Sequence, residues 1–84
     1  VKELFVYPAI FETGSFGVAV VFPDLPGCVT QNNNYKKAFK GAQEALNLHL
    51  RGMLEDCDPF PEPSNLEDIP LGKHEALALI ETQI

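Results

Sequence analysis

The chain has 84 residues, 45% hydrophobic and 21% charged, which is room for one domain and a balance that argues against disorder. Twelve acids against six bases give a formal charge of -6; that sign repels phosphate backbones and steers toward basic partners, so nucleic-acid binding by this domain is not expected. No apolar run approaches the ~20 residues that a bilayer span needs, and the opening Val1–Pro8 is too short in apolar residues for a signal peptide and carries an early Glu3, so the expected location is the cytoplasm.

Residues 3–12 predict a strand, with Leu4, Val6 and Ile10 on one face and Phe5, Tyr7, Ala9 and Phe11 on the other. Both faces are apolar, which implies burial on both sides or pairing with a partner chain. Pro8 cannot donate to a ladder, so an edge position or a bulge is expected. Glu12–Gly17 predicts a turn. A second strand follows, in which Phe16, Val18, Val20 and Phe22 alternate with the smaller Gly17, Ala19 and Val21, so close packing is expected over the small face. Pro23-Asp24-Leu25-Pro26-Gly27 breaks that strand, and Cys28–Gln31 predicts a third.

Asn34 is a good N-cap for a helix over 35–56. Tyr35, Phe39, Ala42, Leu46, His49, Leu50 and Met53 make its apolar stripe. Lys37, Lys40, Glu44, Arg51 and Glu55 lie opposite, with Lys40/Glu44 and Arg51/Glu55 at i,i+4 spacing. Residues 57–75 read as a loop, its Pro59, Pro61 and Pro63 favouring an extended path. Ala76–Ile84 reads as a last strand, with Leu77 and Leu79 on one face and Ala76, Ala78 and Ile80 on the other. The order β-β-β-α-β predicts a two-layer α+β fold: a three-stranded antiparallel meander, one helix across a face, and a final edge strand.

Few residues carry a catalytic pattern. Cys28 and Cys57 make no metal-ligand pair and read as free thiols packed as small apolar groups. A nuclease would need converging carboxylates, and Asp24, Glu44 and Asp56 fall on a turn, an outer helix face and a helix end. Cys28 with His49 is a conceivable nucleophile–base pair. The reading is therefore of no catalytic, cofactor or metal site.

Charge is the stronger signal. Glu55, Asp56, Asp58, Glu62, Glu67 and Asp68, half the acids of the chain, fall in a stretch without Lys or Arg. Lys36, Lys37 and Lys40 open the helix that these acids close. This opposes the helix dipole, at ~0.3–1 kcal/mol per misplaced charge, and such a conflict marks a binding surface. Leu48 lies within the charged helix face and is an anchor candidate. The partner-binding residues expected are Leu48, Arg51, Glu55, Asp56, Asp58 and Glu62.

Tyr7-Pro8-Ala9-Ile10-Phe11-Glu12, then Val21-Phe22-Pro23-Asp24-Leu25-Pro26-Gly27-Cys28-Val29-Thr30-Gln31, followed by a Glu44-Ala45-Leu46-x-Leu48-His49-Leu50 helix and Pro61-Glu62-Pro63-Ser64, resemble HicB-type antitoxins over roughly 7–69. The resemblance implies a partial ribonuclease H-like fold without nuclease function. It also implies a type II antitoxin that binds HicA, a small basic mRNA-cleaving toxin, and masks its active site. Many such antitoxins also carry a C-terminal DNA-binding domain. None is read in residues 1–84, which are expected to form a single HicB-like domain and a homo-oligomer, a dimer. The alternatives are a solitary oligomeric protein-binding domain and a ribonuclease H-like nuclease.

Overall fold

The computed structural model describes residues 2–84. Strands β1 (Leu4–Gly14), β2 (Gly17–Val21), β3 (Val29–Asn32) and β4 (Glu75–Gln83) form one antiparallel sheet in the order β3-β2-β1-β4. Helix α1 (Tyr35–Glu55) covers one face, and a short 3₁₀ turn at Leu66–Asp68 interrupts the connection to β4. This is the expected β-β-β-α-β order, with β4 on an edge beside β1.

Alternation in β1 decides what the core is. Tyr7, Ala9 and Phe11 point to the helix and are buried, as are Val18 and Val20 of β2 and Ile80 of β4. From α1 come Ala38, Ala42, Leu46 and Leu50, all buried. Small residues (Ala9, Ala38, Ala42) let the backbones approach, and aromatic pairs close both ends. Phe11 stacks on Tyr35 and Phe39 at centroid distances of 5.5 and 6.1 Å. At the other end Phe60 meets Phe5 edge-on at 5.0 Å. Each such pair contributes ~0.5–1.5 kcal/mol beyond its area.

The structure departs from the sequence expectations at the first turn and in β2. The segment expected to turn over Glu12–Gly17 is strand up to Gly14, and only Ser15 and Phe16 turn. Gly17 is required there: it sits at φ +108°, and a Cβ would lie 2.5 Å from the Asn32 carbonyl oxygen. In β2 and just after it the helix packs on the large side chains, Val18, Val20 and Phe22, while Val21 on the other face stays exposed.

Pro8 is not on an edge strand. In an antiparallel ladder, hydrogen-bonded pairs alternate with non-bonded ones. Glu3 with Ile84 exchanges both bonds, and Thr13 N–H donates to His74, so odd residues of β1 face β4 and even ones face β2. The Pro8 nitrogen therefore faces the β2 side, where pairing ends at Ile10↔Val21. The proline costs no ladder bond because β2 has already stopped.

The helix is punctuated by side chain at one end and backbone at the other. Asn34 Oδ1 accepts from Lys37 N–H at 2.9 Å. At the C-terminus Cys57 N–H donates to Leu54 O and Asp58 N–H to Met53 O, the paired bonds of a Schellman cap. Cys57 fills the left-handed position at φ 57° and is exposed, so it is a cap and not a packed thiol. A left-handed non-glycine residue costs ~1–2 kcal/mol. Cys57→Gly is therefore expected to stabilise the fold by ~1 kcal/mol, raising the melting temperature by about 4–8 °C for a domain this size, read by calorimetry. An unchanged or lower melting temperature would show that the cap is not strained.

Candidate interaction surface

The outer face of α1 presents Leu48, 75% exposed. It rises between two depressions. One, against β3, is lined by Thr30, Gln31, Lys37, Lys40 and Glu44; the other, beside Pro26, by His49, Met53, Asp56 and Asp58. The helix thus offers an apolar side chain between a basic-lined groove and an acidic one. Arg51 and Glu55 follow Leu48 on the same stripe, at i+3 and i+7. The Arg51 Nε donates to Asn47 Oδ1 at 2.7 Å, and Asn47 in turn donates to Thr82 Oγ1 at 2.8 Å and to the Gln83 carbonyl at 3.0 Å. That chain of bonds ties the outer face to β4, a link that the charge pattern alone did not reveal.

Glu62 belongs to a different neighbourhood. The segment Phe60–Pro63 runs beside Leu4–Tyr7, lining a shared crevice. Tyr7 Oη donates to the Pro61 carbonyl at 2.6 Å. Burial raises the Tyr7 pKa, and the charges of Asp24 and Glu62 raise it further. Asp24 fastens the same segment: Ser64 N–H donates to one carboxylate oxygen at 2.8 Å and Ser64 Oγ donates to the other. Asp24 could be read from sequence as a metal-binding acid; the structure engages both its oxygens with Ser64. Of the expected contact residues, then, Leu48, Asp56 and Asp58 share one depression, Arg51 and Glu55 continue its helical rim, and Glu62 lies apart.

Among the described residues no three His, Cys, Asp or Glu side chains are grouped to hold a metal ion. Cys28 and His49 do line one depression. Yet the Cys28 thiol donates to the Ala45 carbonyl at 3.6 Å, and burial pushes its pKa up to about 11. At neutral pH it stays protonated, the opposite of an activated nucleophile. A raised pKa means that the folded state holds this proton more tightly. The thiol's contribution to stability is therefore complete below pH 9.0 and lost as pH rises toward about 11. A thiol-specific reagent at pH 7 should modify Cys57 rapidly and Cys28 only on unfolding. Equal rates would contradict the buried, protonated Cys28.

The residues 7–78 match the family model of the HicB-like antitoxin of bacterial toxin–antitoxin systems. An uncharacterized 14.9 kDa protein of the rep-hol intergenic region of Haemophilus phage HP1 is 36% identical over 62 residues, which are 74% of this chain and 47% of that protein. Antitoxin HicB 2 of Photorhabdus laumondii is 38% identical over 58 residues, 69% of this chain and 42% of that one. The chain thus spans about half the length of these curated relatives. Among solved structures, a toxin–antitoxin complex from Streptococcus pneumoniae matches with a TM-score of 0.83 at 18% identity, over 94% of this chain and 69% of that one. A HicA3 and HicB3 toxin–antitoxin complex matches with a TM-score of 0.73 at 24% identity, over 90% and 95%. At these identities the structural likeness is one of fold. With a family match across most of its length, this chain belongs to the HicB-like antitoxin family. No helix of the described residues is long and apolar enough to cross a membrane.

Proposed function

We propose that this chain acts as a single HicB-like domain in the cytoplasm, binding and neutralising a HicA-type mRNA-cleaving toxin by covering its active site. The family match over residues 7–78 carries this reading. A solved relative of the same fold is a complex of HicA3 with HicB3. The role is one of binding and not of catalysis, consistent with the protonated Cys28 and the engaged Asp24.

The proposed contact surface is the outer C-terminal half of α1 with the acidic residues after it. Leu48 is the apolar anchor. Glu55, Asp56, Asp58 and Glu62 supply a negative field that a basic toxin meets with opposite charge, which speeds encounter and sets orientation more than it sets affinity. Arg51 is held by Asn47, so its geometry is pre-set before binding.

Titration calorimetry against a catalytically inactive HicA-type toxin tests both levels. Tight binding that weakens with salt is expected. Reversing Glu55, Asp56, Asp58 and Glu62 together to lysine is expected to weaken it by ~10-fold or more, since each rim charge contributes a few tenths to ~1 kcal/mol. Wild-type binding with no loss on charge reversal would leave the antitoxin role and remove the site. No binding at either salt would remove the role.

A further inference from the structure

The alternation that explains Pro8 also fixes the outer edge of the sheet. Even residues of β4 bond β1, so its odd residues turn their backbone groups outward. Glu75 N–H is taken by the Gly72 carbonyl, and the Gln83 carbonyl accepts from Asn47. Between them the N–H and C=O groups of Leu77, Leu79 and Glu81 face the edge where the sheet ends. Natural edge strands are shielded by shortness, lysine, proline or a bulge. The opposite edge, β3, is only four residues long and adjoins the groove with Lys37 and Lys40. The nine-residue β4, Glu-Ala-Leu-Ala-Leu-Ile-Glu-Thr-Gln, contains neither lysine nor proline.

We propose that the free edge of β4 is the docking site for a second copy of this chain, the two β4 strands pairing antiparallel about a two-fold axis at Leu79 and continuing one sheet across both copies. The sequence of β4 favours this occupant and this register. Centred on Leu79, the pairing overlaps the full strand and joins only outward-facing residues: Leu79 with its own copy, Leu77 with Glu81, and Glu75 with Gln83. No two glutamates lie directly opposite, a placement that would destabilise the pair. A shift of the axis to Ala78 shortens the overlap and sets Glu75 against Glu81 twice. The side chain at the axis is apolar and 51% exposed, so pairing buries it against its twin. A basic strand from another protein would gain from Glu75 and Glu81 but would leave this self-complementarity unused. The isologous contact closes on itself and stops at two copies.

Leu79 is on the sheet face away from the helix, so a polar replacement there leaves the core intact. Light scattering of the wild-type chain on the order of 100 µM is expected to give a dimer, weakened by dilution and strengthened by salt that screens two chains of charge -6. Leu79→Lys and Leu79→Glu, each alone, place like charges at the axis and are expected to be monomeric. An equimolar mixture of the two variants is expected to recover the dimer, as a one-to-one heterodimer by native mass spectrometry, which also shows that both are folded. A monomeric wild type, a dimer in either single variant, or a mixture that stays monomeric would each overturn the proposal. Because salt strengthens this contact and weakens the proposed toxin contact, the two stand or fall separately.

Discussion

The close seating of α1 on the sheet is the interaction on which the other features depend. Ala38 and Ala42 on the helix and Ala9 on the sheet are fully buried, and residues this small allow a short approach of the two backbones. Leu46, Leu50 and Ile80 then fill the centre, while Phe11 with Tyr35 and Phe39, and Phe5 with Phe60, seal the ends. In a chain of 84 residues the fraction of surface buried on folding is modest. Truncating Leu46 or Leu50 to alanine would remove ~2–5 kcal/mol, a large share of the ~5–15 kcal/mol typical of a domain. Once the helix is seated by that face, its opposite face has no choice but to meet solvent, and Leu48 is displayed there with the charges around it.

That seating leaves exposed the two surfaces proposed for association. The helix surface is mixed: one leucine, an arginine held by Asn47, and an acidic run through the Schellman cap into the proline segment. The acidic run is placed by the ties that fasten the segment, Asp24 to Ser64 and Tyr7 to Pro61. The β4 edge is instead a backbone surface with an apolar side chain at its middle. As proposed, one responds to salt as an ion-steered contact and the other as a contact between like-charged copies. They lie on different elements, linked through Asn47, which touches Arg51 on one side and Thr82 and Gln83 on the other.

Element types and order were legible in the sequence because local signals agreed with tertiary demand. Asn34 caps where a cap residue is expected, β1 is the apolar strand that its two apolar faces predict, and the last strand, Glu75–Gln83, has the expected faces. What was not legible needs the partner strand. The rule that confines proline to edges held for the bond direction of Pro8 but not for its strand, because β2 ends short of it. The small face of β2 drew attention, yet the helix took the large one, since burying Val18, Val20 and Phe22 removes more apolar area from water. Cys57 looked like any small apolar residue, and only its positive φ reveals a cap. For the candidate surface, the charge run was visible in one dimension. That Asp56 and Asp58 share a depression with Leu48 while Glu62 sits beside Tyr7 follows from the turn at the helix end, which no spacing rule encodes.

Hydrogen–deuterium exchange of this chain with and without a catalytically inactive HicA-type toxin tests the central claim most directly. Slowed exchange in residues 48–62, with β4 unchanged by the toxin, is the expected result. Protection confined to β4 or to the sheet face away from the helix, with residues 48–62 unaffected, would contradict it.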